Sequence, residues 1–310
     1  NRPVNLPHDK LKLWLALLKC PRFGVVSFLR LKSLLPNPTD IFSIPQSELV
    51  HYGLNESQIA YLRQPDWSYV ERLAGWLSAH NIQLIPMDSP SYPDLLASTA
   101  RPPIVLFAKG RLDLLSTPQV AFVGSRNPSH YGKHVTQHLI QQLSAMDVCI
   151  TSGLAIGIDG LAHKAALKNG CPTIAVLGSG FQHIYPKRHL RLADEIAESG
   201  LLVTEFSPEV PPIQHNFPRR NRIIAGLTNG TVVVEAAIKS GSLITAQSAL
   251  EEGRDVFAVP GNIFNPLSAG THHLIQQGAK LITNAADIVE DYLILPATQP
   301  VTKNHLAGSQ

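Results

Sequence analysis

The stretch VAFVGSRNPSHYG, residues 120–132, begins as a compact apolar run, reaches a glycine and continues into polar residues. Short β-rich runs of this kind recur along the chain after it and mostly alternate with segments of helical pattern. The further runs are VCITSG (148–153), TIAVLG (173–178), LLVTEF (201–206), TVVVEAA (231–237), DVFAVPG (255–261) and KLITN (280–284). Such alternation predicts an α/β fold in which a mostly parallel sheet carries helices on both faces.

The chain ahead of this region reads differently. Two more strand candidates, NIQLIPM (81–87) and PIVLFAKG (103–110), are separated by a proline-rich loop, whereas the chain up to about residue 78 reads as helical. We therefore predict a small all-helical domain over 1–78, a sheet domain over 80–292, and a linker or tail over 293–310. Within the helical part, KCPRFGVVSFLRLKSLL (19–35) fits either a helix–hairpin–helix with Gly24 in its turn or a simple packing module.

Composition excludes several classes of protein. The 310 residues are 44% hydrophobic and 16% charged, which is enough to bury a substantial core. No apolar run reaches the roughly 18 residues of a membrane span, and no signal pattern is visible at the N-terminus. The three cysteines stand far apart, which favours a reduced protein over a disulfide framework or a metal site. We expect a cytoplasmic protein with no membrane partner.

The net charge of +3 conceals an uneven distribution. Residues 119–222 contain ten Lys and Arg against seven Asp and Glu, a balance of +3, whereas residues 223–310 contain four against seven, a balance of −3. The chain is therefore not a generally basic nucleic-acid binder. Any anion site must be local, and it must lie in residues 119–222.

Small or polar residues follow the ends of four predicted strands. They are Gly124, Ser125 and Arg126 after the first run, Ser152 and Gly153 after the second, Gly178 to Gly180 after the third, and Glu205 in the fourth. In doubly wound folds, ligands bind beyond the carboxyl ends of the strands, where glycine lets a ligand approach and the next helix offers free N–H groups. The pattern predicts an anion site. Neither G-x-G-x-x-G in the right unit nor G-x-x-x-x-G-K-[ST] is present, so NAD and ATP are not expected.

Five long motifs occur in a fixed order: VAFVGSRNPSHYG (120–132), TSGLAIGIDGLAHKAAL (151–167), VLGSGFQHIYP (176–186), NFPRRNRIIAGL (216–227) and VVVEAAIKSGSLITAQSALEEGRDVFAVPG (232–261). Together they resemble the DNA-processing protein A (DprA/Smf) family over about residues 80–292. The resemblance implies an extended Rossmann-like domain. The helical N-terminal region is similar to the small sterile-alpha-motif-like (SAM-like) domain that many members carry, and a C-terminal winged helix, common in the family, would begin where this chain stops.

This resemblance implies a protein of natural transformation that is not an enzyme. Members bind incoming single-stranded DNA in the cytoplasm, protect it from nucleases and help to load a RecA-type recombinase. They work as homodimers through the Rossmann-like domain. The resemblance implies no cofactor, no metal and no small-molecule substrate.

The family's DNA-binding positions fall on the crevice at the strand ends. Gln214 stands where some members have a lysine, so it is not included among them. The predicted DNA-binding residues are Gly124, Ser125, Arg126, Ser152, Gly153, Gly157, Asp159, Gly178, Gly180, His215, Phe217, Arg220, Asn221, Arg222, Ser240 and Gly241.

The arginine-rich segment 216–227 has the chemistry that single-stranded DNA requires. Arginine binds phosphate bidentately, and an exposed Phe217 offers a base a flat face, worth roughly 1–3 kcal/mol. Helical spacing places Arg219 and Arg222 on one face and Arg220 on the adjoining one, so the three arginines cannot all face one groove. We predict that Arg220 and Arg222 contact phosphates and that Arg219 lies outside the groove.

Other interpretations of these residues stay open at this point. Phe217 is equally compatible with core packing, and Arg220 or Arg222 is compatible with an internal salt bridge to Asp159 or Glu205. Asp159 fits both contact with a ligand and ordering of its own loop.

A different class of function also fits part of the pattern. Rossmann-like phosphoribohydrolases of the lysine-decarboxylase-like family bind a nucleotide phosphate through P-G-G-x-G-T-x-x-E, whose glutamate is catalytic. The nearest match is KSGSLITA (239–246), where Gly241 and Ser242 stand for the last glycine and the threonine. No acid follows until Glu251, which leaves cleavage of a glycosidic bond without a base.

Overall fold

A computed structural model describes residues 6–292 and contains one nine-stranded sheet. Each of the nine runs predicted from the sequence contains one strand. The strands are β1 (Gln83–Pro86), β2 (Val105–Gly110), β3 (Gln119–Val123), β4 (Cys149–Ser152), β5 (Thr173–Val176), β6 (Leu201–Thr204), β7 (Gly230–Val233), β8 (Asp255–Ala258) and β9 (Lys280–Leu281). The predicted tail over 293–310 lies outside the described residues.

Twelve α-helices surround the sheet within the described residues. They are α1 (His8–Leu18), α2 (Val25–Leu34), α3 (Glu56–Arg63), α4 (Trp67–Ala79), α5 (Asp94–Ala97), α6 (His130–Leu143), α7 (Ile158–Lys168), α8 (Leu190–Ser199), α9 (Asn216–Leu227), α10 (Gly241–Glu251), α11 (Pro266–Gln276) and α12 (Ala286–Tyr292). Short 3₁₀ turns cover Pro38–Ser43, Gln46–Tyr52, Leu112–Ser116, Phe181–His183 and Lys187–His189. Within residues 6–292, every helix is too short or too polar to cross a lipid bilayer.

The strand order is β1-β2-β6-β5-β4-β3-β7-β8-β9. All neighbouring pairs from β6 to β9 are parallel, and only β2 runs antiparallel to both of its neighbours. Parallel strands need crossover connections, and the helices that alternate with the strands supply them. The predicted mostly parallel α/β sheet is therefore confirmed.

Strand β3 occupies the point where the direction of winding reverses. From β3 the chain proceeds through β4 and β5 to β6 on one side, then returns to β7, β8 and β9 on the other. Ligands of doubly wound folds bind at such a switch point, beyond the carboxyl ends of the strands. The loops that follow β3 and β7, residues 124–129 and 234–240, border this position.

Side chains of β3 alternate between the two faces of the sheet, with period two. Val120 and Phe122 pack in one apolar cluster, together with α6 and α7. Ala121 and Val123 pack in another, together with α9 and α10. Both faces are therefore covered by helices, as the alternation of strands and helices predicts.

The N-terminal helices share a core with the sheet. Phe28 and Leu77, from α2 and α4, belong to one continuous apolar cluster with Phe107 of β2 and Leu202 of β6. Gly24 precedes α2 as its N-cap residue and so lies between the first two helices. Because apolar packing is continuous here, the helical region is fixed against the sheet, while the division at residue 78 stays a prediction.

Candidate nucleic-acid interface

A cleft of about 700 Å³ opens at the carboxyl ends of the central strands. It lies between the loop that follows β3 and the first turns of α9 and α10, at the switch point of the sheet. Nine of the predicted residues line it: Gly124, Ser125, Arg126, Asp159, Phe217, Arg220, Asn221, Ser240 and Gly241. Residues that are far apart in the sequence thus meet in one concave surface.

Arg126 stands exposed at the cleft, on the loop that follows β3. Its guanidinium carbon lies 5.9 Å from the centre of the Phe217 ring. Among residues 6–292, no carboxylate lies within ion-pair distance of Arg126. The side chain therefore retains its full hydrogen-bonding capacity for an anion.

Arg220 is the buried counterpart of Arg126. Its Nη1 donates to the backbone oxygens of Gly153 (2.5 Å) and Val176 (2.9 Å), which end β4 and β5, and its Nε donates to Asn221 (3.0 Å). Burial lowers the pKa of Arg220, and the positive charge of Arg126 adds to the effect, because two guanidinium groups face the same cleft. An anion bound between them relieves this repulsion.

Asp159, on the first turn of α7, is buried close enough to Arg220 for the two opposite charges to interact. Its carboxylate accepts a hydrogen bond from the backbone N–H of Gly153 at 3.1 Å. Burial raises the pKa of Asp159, and the charge of Arg220 opposes that rise. The carboxylate both orders the loop after β4 and lines the cleft, so the two alternatives for Asp159 are compatible.

Two buried histidines hold the strained residue of this loop. Leu154 has a φ of +59°, an unfavourable angle for a residue with a side chain. Its N–H donates to Nε2 of His163 (3.2 Å), and its carbonyl oxygen pairs with Nδ1 of His189 (2.7 Å). Thr173 donates to the Ile150 carbonyl, so Nδ1 of His163 must donate to Thr173. Because Nε2 of the same ring accepts from the Leu154 N–H, the imidazole is neutral. Burial accordingly lowers the pKa of His163 to about 3.

An aromatic pair forms one side of the cleft. The rings of Phe217 and Tyr185 have centres 5.8 Å apart and are tilted by 46°. Tyr185 is 47% exposed, which is high for a large aromatic side chain and leaves its face available to a base. The sequence prediction missed Tyr185, although it stands in the motif VLGSGFQHIYP. An aromatic residue beside the glycine-ended strand β5 was the available signal.

The buried carboxylate of Glu235, at the end of β7, was also missed. It accepts from the backbone N–H of Ser129 (2.9 Å) and from the Ser129 hydroxyl, which in turn caps α6. The Glu235 carbonyl accepts from the N–H of Ser125 at 2.7 Å. Glu235 therefore fixes both ends of the loop that carries Arg126. An isolated acid directly after the apolar run VVV was its sequence signal.

The N-terminus of α10 faces the cleft. Gly241 begins this helix, and the space where its side chain would lie is open. The hydroxyl of Ser240 is buried and has no hydrogen-bond partner among the described residues. Unpaired N–H groups of a first helical turn attract anions, so this end of the cleft adds a second favourable position for phosphate.

The glycines that follow β4 and β5 have a different role from the one predicted from the sequence. We expected them to admit a ligand to the backbone, but atoms of the protein fill the space instead. A Cβ on Gly153 would lie 2.7 Å from the Arg220 guanidinium, and one on Gly178 would lie 2.7 Å from the Phe217 ring. A Cβ on Gly180 would meet a backbone oxygen at 2.0 Å. These glycines position the cleft's side chains and do not line the main cleft.

Three other predicted residues also lie outside the lining. The hydroxyl of Ser152 donates to the Phe122 carbonyl (2.6 Å) within the sheet. Gly157 has a φ of +92° and lies against the backbone of Arg126, so it supports the same loop from behind. His215 is exposed immediately before α9.

The structure places Arg222 outside the lining of the cleft, and its contact with DNA stays a prediction. Its Nη2 donates to Glu205 (2.5 Å) and its Nη1 to the Arg101 carbonyl (2.6 Å), which is the salt-bridge alternative left open above. Arg219 lies on the same side, 3.9 Å from Glu205 and over the ring of Phe206. The spacing of three residues places both on one helical face, and only Arg220 faces the cleft.

Comparisons with known proteins identify the family of this chain. The sequence model of the family described as DNA recombination-mediator protein A matches residues 83–293. Protein Smf of Escherichia coli (strain K12) is 52% identical over 223 residues, which cover 72% of this chain and 60% of that protein. The chain thus spans less than two thirds of this relative's length.

Two solved structures extend the comparison to three dimensions. The X-ray structure of DNA processing protein A from Streptococcus pneumoniae covers 93% of this chain and 99% of its own, with 37% identity and a TM-score of 0.81. DNA processing protein A from Helicobacter pylori, whose structure is described for its single-stranded DNA binding mode, covers 69% of this chain and 96% of its own. Its identity is 30% and its TM-score 0.62.

Proposed function

The chain belongs to the family of DNA recombination-mediator protein A, and from this premise we propose that it binds single-stranded DNA in the cleft at the switch point. One observation carries the proposal. The guanidinium carbons of Arg126 and Arg220 lie 5.9 Å and 5.6 Å from the centre of the Phe217 ring, so two cations and one aromatic ring meet at the cleft. Cations bind phosphates and an aromatic face stacks on an unpaired base, which together favour a single strand over a duplex.

The family is one of recombination mediators and not of enzymes, so the phosphoribohydrolase alternative is set aside. Glu251, the first acid after KSGSLITA, lies at the exposed far end of α10. It is about ten residues, or roughly 15 Å along the helix, from the end that faces the cleft.

Within this role, the protein protects incoming single-stranded DNA during natural transformation in the cytoplasm and helps to load a RecA-type recombinase onto it. The single-stranded DNA binding mode described for the Helicobacter pylori protein supports the substrate. Contacts to phosphates and to base faces carry little sequence information, so binding tolerates any sequence. The three cysteines are free and buried, which suits a reducing compartment.

The protein acts as a homodimer with an isologous interface. Large apolar side chains stand exposed late in the Rossmann-like domain, through which the family resemblance implies dimerisation. Ile263 is 79% exposed, Phe264 87% and Ile238 57%. Ile263 and Phe264 are neighbours in the chain and are the candidate interaction surface, and burial between two copies would remove them from water.

Titration of labelled single-stranded and duplex oligonucleotides at several salt concentrations tests the proposed substrate. Two arginines in each cleft predict a log–log salt slope of about −1.4 for a single strand, at about −0.7 for each phosphate neutralised. Duplex of the same length should bind more weakly. Equal affinity for both forms, or a slope near zero, would contradict the proposal.

A further inference from the structure

The helical N-terminal region contacts the segment that leads into the cleft. Between β6 and α9 the chain forms a long connection, residues 205–215. Glu209 in this connection accepts a hydrogen bond from the Tyr69 hydroxyl of α4. Lys19, which follows α1, lies 3.6 Å from the same carboxylate and 4.2 Å from the centre of the Tyr69 ring. Two N-terminal elements therefore converge on one carboxylate of the sheet region.

This polar contact lies at the edge of the apolar core that joins the helical region to the sheet. A cavity of about 340 Å³ separates α1 and α4 from the connection, with Leu15, Leu18 and Leu73 on one side and Val210 on the other. Within the described residues, the hydrogen bond from Tyr69 and the ion pair with Lys19 join the N-terminal region to the connection beside this cavity.

Tyr69 and Glu209 both keep the protonation states that their hydrogen bond requires. Burial raises the pKa of Tyr69, and the hydrogen bond to Glu209 raises it further, so the phenol stays protonated and donates. Burial tends to raise the pKa of Glu209 as well, but the hydrogen bond from Tyr69, with smaller effects that include the charge of Lys19, lowers it below its usual value. A charged acceptor makes the bond stronger than a neutral one.

Hydrogen bonds link the connection, and with it Glu209, to the cleft. Its backbone bonds to the turn after β5, where Gly180 N–H donates to the Val210 carbonyl (2.8 Å). Farther along, the Asn216 side chain donates to the Pro211 carbonyl (3.2 Å), so the first residue of α9 is fixed to the connection. Gln214 lines the cleft, and Phe217 follows on the first turn of α9. A displacement at Glu209 therefore reaches the aromatic side of the cleft over eight residues.

We propose that Tyr69 and Glu209 are positioning residues for the cleft, through which the docked helical region holds the connection and the aromatic side in the geometry that binds single-stranded DNA. The helical region thereby sets DNA affinity without contacting the DNA. This inference rests on the proposed function of the cleft.

The test compares two tyrosine hydroxyls of the helical region in the full chain. Tyr69→Phe removes the bond to Glu209. Tyr61→Phe is the matched control, because the Tyr61 hydroxyl donates to the Ala16 carbonyl (2.6 Å) and joins two N-terminal helices without contacting the connection. Both variants should lose a similar small amount of thermal stability. Tyr69→Phe should raise the Kd for a labelled oligo-dT roughly three- to tenfold, whereas Tyr61→Phe should leave it within about twofold.

Substitutions of Glu209 separate positioning from simple electrostatics. Glu209→Ala removes a negative charge near a DNA site, so electrostatics alone predicts tighter binding. The proposal predicts weaker binding, because the hydrogen bond and the ion pair are lost. Glu209→Gln keeps a neutral acceptor for the Tyr69 hydroxyl but loses the ion pair with Lys19, so its affinity should lie between those of Glu209→Ala and the wild type. The salt slope should stay unchanged in all of these variants, since no phosphate contact is removed.

Amide hydrogen exchange gives a readout of position that does not depend on DNA. In Tyr69→Phe, the N–H of Gly180 and that of Val210 should exchange faster, while the amides of β3 and β4 keep their wild-type rates. If Tyr69→Phe and Tyr61→Phe bind DNA equally well, or if Glu209→Ala binds more tightly than the wild type, the positioning role is overturned while the cleft's own function stands. If the wild-type protein shows no salt-dependent binding of a single strand, both proposals fail together.

Discussion

Replacement of Arg126 by alanine should weaken binding of single-stranded DNA without weakening the fold. The side chain is exposed and forms no ion pair within residues 6–292, so the free energy of unfolding should change by less than about 0.5 kcal/mol. Loss of one charge-assisted hydrogen bond to a phosphate is worth about 1.5–3 kcal/mol. The Kd should therefore rise between about ten- and a hundredfold at low salt. One of the two arginine contacts disappears, and the log–log salt slope should flatten from about −1.4 to about −0.7.

The assay is fluorescence anisotropy of a labelled oligo-dT, with salt varied from about 50 to 200 mM. Arg219→Ala is the matched control, because this side chain is 55% exposed and lies outside the cleft, over Phe206. Its Kd should stay within about twofold of the wild type at every salt concentration, with the slope unchanged. The assignment of the cleft is refuted if Arg126→Ala keeps the wild-type slope, or if Arg219→Ala changes the slope by as much.

Three further predictions concern stability and assembly. Arg220→Ala should lower the free energy of unfolding by about 3–5 kcal/mol, because it leaves the buried Asp159 without a neighbouring positive charge. Urea unfolding measures this loss, and the double variant Arg220→Ala with Asp159→Asn should recover part of it. A loss below about 1 kcal/mol would contradict the prediction. In the unfolded chain His163 takes up a proton below about pH 6.5, whereas in the folded protein it stays neutral down to about pH 3. The free energy of unfolding is therefore highest above pH 6.5 and, through His163, falls by about 1.4 kcal/mol per pH unit below it. Between pH 7.5 and 5.5, His163→Gln should lose about 1.4 kcal/mol less than the wild type, and parallel losses in both proteins would argue against the neutral imidazole. In light scattering at micromolar concentration, the wild type should be the proposed dimer and Phe264→Asp should be a monomer, and a monomeric wild type would exclude the dimer.

The order of strands and helices was predictable because each of the central strands, β3 to β7, is buried on both faces. Its residues then form a short continuous apolar run, as in VAFV before Gly124, and a run of this kind is readable without knowledge of its neighbours. The position of the cleft followed from the same property, since parallel strands end at one edge and their terminal residues must meet there. The family resemblance added the identity of the side chains at that edge.

The remaining contacts of the site could not be predicted, because they join residues that are far apart in the sequence. Spacing along α9 shows that Arg219 and Arg222 share a face, but it does not show that Glu205 stands opposite that face. Glu235 is 110 residues beyond Ser125 in the sequence, yet its carbonyl accepts a hydrogen bond from the Ser125 N–H. Pairing of residues so far apart has no local pattern, so no spacing rule reveals it.

The switch point at β3 also determines when the site forms during synthesis. β3 pairs with β4, which follows 30 residues later, and with β7, where Val120 is opposite Gly230, 110 residues later. At roughly 5–20 residues per second, a ribosome needs about 5–20 s to supply that second partner. During this interval one edge of β3 is unpaired and able to join a strand of another nascent chain. Residues 240 and 241, at the far side of the cleft, are made later still, so a partly synthesised chain has no complete cleft. The proposed DNA site therefore forms only after the second edge of β3 has been covered.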